Sequence, residues 1–353
     1  GKDIAPYTSR DAVDFMEEED LRISAAGRGL PTDNVEQMRK DIAKEIDTAI
    51  VRSWGPKMPL APATVKAGPE HQAQVAEYAE SVKSPDMPKL DLTTVEGNLE
   101  VLRFLKIDEK ELAQKWYAIK DPRELAEKMA ETARASASGN TTNEKDRDEG
   151  YRTEEERKTL TEQMVLQLAT MPMQEDETQV KMGRGGGVPS SGVARRRKAW
   201  FVLGGPGAGK STHVTRIAKE NRALHVSSDI FKRMMPEYDR LGAGGTHAES
   251  AYVTDIAMEQ YAADGLNMVI ERTGKEVGDV TKYLNGLAEA GYEVEVIVVH
   301  LPRAEATRRL VARFTTTGRL PGPIYAHNGV GDRAIGTYTA LAEKGYIHGG
   351  QLW

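Results

Sequence analysis

The sequence predicts an α/β domain with a mostly parallel sheet flanked by helices, preceded by a mainly α-helical N-terminal domain. Three observations predict it. From about residue 199, short apolar runs alternate with amphipathic stretches, the pattern of strands joined by helical crossovers. Before about residue 171, apolar residues recur at three- and four-residue steps, with no strand-like alternation of useful length and no internal repeat. Between the two, the composition shifts to Gly, Pro, Ser and a basic run. The expected organisation is a helical domain of unassigned role over 1–171, a flexible linker over 172–198 and an α/β domain over 199–353.

In the N-terminal half, Val35, Met38, Ile42, Ile46 and Ile50 form one apolar helical stripe. Shorter helices are expected around 9–26, 70–83, 94–106 and 108–119, with an irregular connector over 51–69 that holds Pro56, Pro59, Pro62 and Pro69. Asp121-Pro122-Arg123-Glu124 starts another helix, because Asp caps, Pro suits the first turn and Glu124 can reach back. Leu125 and Met129 follow on one face. Thr153-Glu154-Glu155-Glu156 is a start of the same kind, followed by Leu160, Met164 and Leu168. Residues 136–150 carry almost no apolar side chains and are expected to be a mobile loop. The linker reads as Glu175-Asp176-Glu177, Gly185-Gly186-Gly187 and Pro189-Ser190-Ser191-Gly192. Its last residues, Arg195-Arg196-Arg197-Lys198, are expected to be a solvated lead-in to a strand, with phosphate or nucleic acid as the alternative contact.

In the α/β half, strands are expected at Trp200–Leu203, Leu224–Ser227, Leu266–Ile270 and Glu293–Leu301. Helices are expected over 211–221, up to about 263 through Ala251, Ile256, Met258 and Tyr261, over 279–290 and over 303–315. The Val-Ile-Val-Val run of the fourth strand predicts burial on both faces.

The 353 residues are 39% hydrophobic, enough for two domains with cores. The absence of cysteine excludes disulfide scaffolds, cysteine-ligated zinc and thiol catalysis, and suits a reducing cytoplasm. No apolar run reaches the roughly 18 residues that span a bilayer, and no signal-peptide pattern opens the chain. The expected location is cytoplasmic, with delivery into a host or target cell as the alternative. A chain beginning at Gly1 reads as a fragment or a processed form. The net charge of −6 divides unevenly: residues 1–180 hold 25 Lys+Arg against 37 Asp+Glu, and residues 181–353 hold 23 against 17. The basic half favours an anionic ligand.

Gly204-Gly205-Pro206-Gly207-Ala208-Gly209-Lys210-Ser211 matches the phosphate-loop pattern G-x-x-x-x-G-K-[ST] after an apolar strand and before a helix. Gly205, Gly207, Ala208 and Gly209 let backbone N–H groups turn around a phosphate, at a helix N-terminus that attracts the same charge. Lys210 suits the β- and γ-phosphates, Ser211 a Mg²⁺ ion and Thr212 the α-phosphate. This is nucleoside triphosphate and Mg²⁺ chemistry, and by itself the loop does not name the group that receives the phosphate.

Asp229, 19 residues after Lys210, ends the second strand, where a carboxylate can take the proton of an attacking hydroxyl. Its bland alternative is a helix cap. Glu271 ends the third strand, with Arg272-Thr273-Gly274-Lys275 after it. Asp255 lies on the preceding helix. Arg308, Arg309, Arg313 and Arg319 follow the fourth strand and could neutralise a transferring phosphoryl group, although Arg308 and Arg309 read as a solvated helix face. Thr315-Thr316-Thr317-Gly318 reads as a mobile lid.

Gly204–Thr212, Ser228-Asp229-Ile230-Phe231-Lys232, Met268-Val269-Ile270-Glu271-Arg272-Thr273-Gly274 and Ala290-Gly291-Tyr292-Glu293-Val294 together resemble the zeta toxin kinases over about residues 198–325. The resemblance implies a phosphate-loop kinase fold that uses ATP to phosphorylate the 3′-hydroxyl of UDP-N-acetylglucosamine, and a small helical antitoxin as partner. Carried across by position, Lys210 and Ser211 hold ATP and Mg²⁺, Asp229 is the base, and Asp255, Glu271 and Thr273 bind substrate. Arg313 and Arg319 clamp the phosphates. Asp255 stands for a usual Glu, Arg272 for a Gly and Lys275 for an Arg, so the changes cluster in the acceptor pocket. The acceptors left open are a UDP-amino sugar, the adenosine ribose of NAD, which a zeta-like plant-pathogen effector kinase phosphorylates, and the 5′-hydroxyl of a nucleic acid, which is not favoured. A non-enzymatic, ATP-gated interaction protein is the contrasting class. The helical half is open among a built-in inhibitor, a delivery or docking segment and a scaffold for another partner.

Overall fold

The computed structural model describes residues 69–174 and 179–347, together with Asn34 and Gln37. The helices expected over 9–26 and 35–50, the connector up to residue 68 and the acidic triplet at 175–177 lie outside the described residues. Among the described residues no helix is long and apolar enough to cross a membrane.

The N-terminal helices begin where the sequence places caps. Helix α1 spans Pro69–Ser81, and α2 spans Val95–Phe104, where the Thr94 side chain accepts from Gly97 N–H. A single turn, α3, covers Glu109–Leu112 behind Asp108. Asp121 caps α4, Pro122–Ala137, by accepting from Glu124 N–H. Thr153 and Glu156 form a reciprocal capping box on α5, Glu154–Thr170. The stretch 136–150 is folded, contrary to expectation: it finishes α4 and then makes two 3₁₀ turns. Polar groups replace apolar burial there. Asp146 accepts from Asn140 N–H at 3.0 Å, Thr141 N–H donates to Gly245 C=O at 3.0 Å, and the buried Arg147 donates to Thr141 C=O at 2.9 Å.

Four parallel strands form one sheet: β1 Lys198–Leu203, β2 Leu224–Ser227, β3 Met268–Arg272 and β4 Glu293–Val298, in the order β2-β3-β1-β4. Leu203 lies opposite Arg272 and Val298, and Ser227 opposite Glu271, so the strands end at one level. Between and after them come α6 Lys210–Asn221, α7 Ser228–Met234, α8 Tyr238–Gly245, α9 His247–Ala263, α10 Val277–Glu289, α11 Arg303–Thr317, a π-helical turn Tyr325–Val330 and α12 Arg333–Glu343. Strand β4 is an edge whose first residues Glu293 and Glu295 are exposed. Its Val-Ile-Val-Val run is covered on both faces, as expected: Val296 and Val298 join the main core, and Val299 with the partly buried Ile297 packs with the α6 side chains. Thr315 to Thr317 end α11 rather than forming a lid, because their hydroxyls donate back to Ala312 and Arg313 carbonyls and left-handed Gly318 stops the helix.

The two faces of β1 bury different sets. Ala199, Phe201 and Leu203 join the main core, while Val202 packs with Val214, Ile217 and Ala218 of α6. The main core does not stop at residue 199. Val75 of α1 and Leu160, Met164, Val165 and Leu168 of α5 lie in it beside Phe201, Leu224 and Tyr261. A second core, built from Met87, Leu102, Leu105, Leu125 and Met129, is closed by Val311 and Phe314 of α11. The division into a helical domain, a flexible linker and an independent α/β domain therefore does not hold across the described residues.

The glycine-rich stretch misled because close approach and flexibility share one composition. Gly187 N–H donates to Leu168 C=O at 2.8 Å, and its carbonyl accepts from His225 N–H at 2.9 Å on the outer edge of β2. A Cβ at Gly187 would lie 2.4 Å from His225 O. The basic run leads into β1 with Arg195 and Arg196 exposed, as expected, and it also meets helix ends: Arg195 donates to Asp264 C=O and Arg197 to Ala290 C=O, at the C-terminal ends of α9 and α10.

Arg157 of α5 fastens the halves through charge. Its guanidinium bonds Glu237 at 2.7 and 3.2 Å and Glu249 at 2.6 Å, and all three side chains are buried. Glu237 also accepts from Asp148 N–H at 2.8 Å. Removing one partner leaves uncompensated buried charge, which costs roughly 3–5 kcal/mol. Arg157→Met is expected to lose about that much stability in urea unfolding; a loss under about 1 kcal/mol would mean that the cluster does not hold the halves. A chain starting at residue 191 is expected to be insoluble or to lack a cooperative thermal transition, since it lacks α1 and α5. A monomeric, cooperatively melting fragment would restore the independent domain.

Candidate active site

The parallel register brings the residues after three strands to one crevice, the usual ligand position in such sheets. After β1, the phosphate loop turns sharply into α6. Gly207 is left-handed at φ 80°, and a Cβ there would lie 2.2 Å from Ala306 O, so only glycine fits against α11. Left-handed Gly209 precedes the first turn of α6. Lys210 is buried, and its Nζ donates to the Gly204 and Gly205 carbonyls at 2.8 and 3.0 Å and lies 3.5 Å from Glu271 Oε1. Ser211 and Thr212 are exposed on the first helical turn. The glycine cradle, the inward Lys and the exposed hydroxyl at a helix N-terminus suit a triphosphate with its divalent cation. Among the described residues no group of three His, Asp or Glu side chains could hold a metal without a ligand's help.

Asp229 sits in the first turn of α7, directly after β2. It is not the cap: Ser227 takes that role by accepting from Asp229 N–H at 3.2 Å. The Asp229 carboxylate instead accepts from Lys232 Nζ at 2.9 Å and ion-pairs with the buried Arg319. Burial alone would raise its pKa, but the Arg319 and Lys232 charges outweigh burial and hold it well below the usual carboxylate range. Glu271 lies 3.5 Å from His225 Nε2 as well as from Lys210. Burial acts to raise its pKa, yet His225 and Lys210 leave it lowered. Both carboxylates are thus ionised at neutral pH.

A cavity of about 990 Å³ joins these groups. It is lined by Gly207, Gly209, Lys210 and Ser211, by Asp229, Glu271, Thr273 and Lys275, and by Arg313 and Arg319. Gly205, Ala208, Thr212 and Asp255 do not line it. Asp255 has another engagement: its Oδ1 accepts from Arg272 at 2.6 Å and from the Tyr283 hydroxyl at 2.8 Å, and the Arg272 guanidinium lies 4.5 Å from the Tyr283 ring centroid. The Arg272 that departs from the zeta pattern thus occupies the carboxylate expected to bind substrate.

Sequence reasoning missed several cavity residues. Lys232 was legible in principle, three residues after Asp229 on a helix. Arg309 is exposed, as expected of a solvated helix face, and it also borders the cavity while pairing with Glu305 at 3.2 Å. His247 and Tyr325 carry no local motif. Met129, Ala133 and Ser136 of α4 and Leu92 and Thr93 before α2 form a wall that only tertiary packing brings there.

The Asp229–Arg319 pair makes a pH-dependent contribution to stability. A carboxyl with a depressed folded pKa stabilises fully above its unfolded value, about 3.9, and loses that contribution as pH falls through the folded value. Arg319→Gln raises the folded value and shrinks the contribution. The stability gap between wild type and Arg319→Gln is expected to stay constant above about pH 5 and to close below about pH 4. Urea unfolding across pH 3–7 checks this; a gap that widens on acidification would refute the pairing.

Residues 190–335 match the family model described as Zeta toxin. Toxin zeta of Streptococcus pyogenes is 26% identical over 126 residues, which cover 33% of this chain and 44% of that protein. Toxin zeta of Enterococcus hirae is also 26% identical over 126 residues, with the same coverage. The chain thus spans less than half the length of these relatives. A solved structure from the PezAT chromosomal toxin-antitoxin system of Streptococcus pneumoniae aligns with a TM-score of 0.38 at 19% identity, covering 46% of this chain and 69% of that one. The phosphate loop, the Asp229 turn, the β3 end and both cavity arginines all fall within residues 190–335, the stretch that matches the Zeta toxin family.

Proposed function

We propose that this chain is an ATP-dependent phosphotransferase that moves the γ-phosphoryl group to a hydroxyl of a nucleotide-containing metabolite, acting as a bacterial toxin or effector. The observation that carries the reading is that Lys210 and the ionised Asp229, from different strand ends, line one cavity with Arg313 and Arg319. In this reading Asp229 orients the acceptor hydroxyl and takes its proton as the new O–P bond forms and the bond to ADP breaks. Arg319 exchanges its Asp229 partner for the transferring group, and Lys210 and Arg313 share that charge. Ser211 would hold a Mg²⁺ ion together with phosphate oxygens, and the ion would neutralise charge between the β- and γ-phosphates.

The acceptor in this reading is UDP-N-acetylglucosamine or a related nucleotide sugar. A second reading is the adenosine ribose of NAD. The Asp255–Arg272–Tyr283 interaction favours it, because it occupies a carboxylate assigned to the sugar. A small helical antitoxin and a cytoplasmic site of action belong to the same proposal. Inhibition in cis would need an acidic helix over Lys210 and Arg313; among the described residues, the upstream part of the cavity wall, Leu92, Thr93, Met129, Ala133 and Ser136, brings no carboxylate.

The test incubates the chain with ATP and Mg²⁺ and either UDP-N-acetylglucosamine, NAD or an oligonucleotide, and reads phosphate gain by mass spectrometry. One of the first two is expected to be phosphorylated. Asp229→Asn is expected to keep affinity for a non-hydrolysable ATP analogue within a few-fold and to lower transfer by roughly 10²–10⁴, whereas Lys210→Ala is expected to lose both. Transfer unchanged in Asp229→Asn would remove the base from the reading. Phosphorylation of the oligonucleotide alone would replace the acceptor class, and ATP binding without any transfer would favour a nucleotide-gated interaction protein.

A further inference from the structure

Three large apolar side chains are exposed among the described residues: Trp116, Tyr252 and Tyr325. Of these, Tyr325 alone lines the cavity. An aromatic ring 41% exposed in the cavity wall forgoes burial that the same residue would gain in a core.

The exposure is built rather than accidental. Tyr325 opens the π-helical turn Tyr325–Val330, a rare geometry that is enriched at functional sites. The turn is fastened to the helical half: Asn328 Oδ1 accepts from Met87 N–H at 2.8 Å and its Nδ2 donates to Met87 C=O at 2.7 Å. A Cβ at Gly329 would lie 3.0 Å from Tyr325 Cδ2, so the missing side chain lets the backbone sit beside the ring. Lys275 Nζ lies 5.8 Å from the ring centroid, within cation–π range. Burial and then the Asp229 charge push the phenol pKa up, which puts the ring on the Asp229 side of the cavity. The result is a fixed flat surface with a cation beside it, near the group proposed to receive the acceptor's proton.

We propose that Tyr325 is the stacking platform for the nucleobase of the phosphate acceptor, with Lys275 beside it to meet the acceptor's own phosphate. A ring of this kind recognises any base by its face, and a neighbouring ammonium selects acceptors that carry phosphate over free nucleosides. This inference rests on the proposed kinase reading and adds to it the part of the acceptor that the chain grips. Tyr325 is a specificity residue in this assignment, since it touches no reacting atom.

Calorimetric titration of the full chain tests it without turnover. The chain is saturated with a non-hydrolysable ATP analogue and Mg²⁺, then titrated with UDP-N-acetylglucosamine or NAD. Tyr325→Ala and Tyr325→Leu are expected to weaken the acceptor that binds by about 5- to 150-fold, the range for losing one base stack. Tyr325→Phe and Tyr325→Trp are expected to stay near wild type, and the ATP analogue's affinity is expected to be unchanged in all four. The Leu variant keeps the bulk of the side chain, so it reads stacking even if Tyr325→Ala disturbs the turn. Acceptor binding unchanged in Tyr325→Leu overturns the platform and leaves the kinase reading intact. Weakened ATP analogue binding with unchanged acceptor binding assigns the ring to the donor and also overturns it. A wild-type chain that binds the ATP analogue but neither acceptor overturns the platform together with the nucleotide-acceptor reading.

Discussion

One buried guanidinium, Arg157, holds two buried carboxylates, and much of the architecture depends on that pairing. Glu237 immediately precedes α8 and Glu249 lies in the first turn of α9, so Arg157 fixes where those helices start relative to α5. Helix α8 in turn packs against the end of α4, where a Cβ at Gly244 would lie 3.0 Å from Ser136 Cβ. The position of α4 at the cavity thus depends on an ion cluster outside the cavity. Such a cluster is expensive to bury and gives little net stability, but every alternative docking of α5 would strand charge in the core. It specifies the arrangement more than it strengthens it.

The phosphate loop and the strand-end carboxylates were legible because their signals are local. The phosphate loop needs consecutive residues, and Asp229 and Glu271 are marked by lying at the ends of apolar runs. Caps were legible for the same reason, as Asp121 and Thr153 show. Errors arose where a residue type serves two physical ends. Gly186 and Gly187 looked like slack and are close backbone approaches, Gly186 to the end of α5 and Gly187 to β2. The polar stretch 136–150 looked unable to order itself, yet Asp146 and Arg147 satisfy its backbone groups. Arg197 looked solvated and is instead half-buried against the C-terminus of α10. Tertiary partners decided each case, and no window of sequence contains them.

The cavity also redistributes familiar chemistry. A carboxylate at 255 and a small residue at 272 would leave the acid available to a ligand. Arg272 instead joins Asp255 and Tyr283 into one hydrogen-bonded and stacked group. Arg272 and Asp255 balance each other's charge, so the carboxylate is paired within the fold rather than left free. The phosphate loop shows no comparable departure from its pattern.

The wall that α4 and the residue 92–93 segment give to the cavity separates two kinds of information along the chain. Residues 190–335 carry the phosphate loop, Asp229 and both cavity arginines. Part of the cavity wall lies some fifty to a hundred residues upstream, in a stretch outside the family match. The two stretches can therefore vary separately: wherever the upstream helices were rewritten, the same loop and arginines would face a different wall.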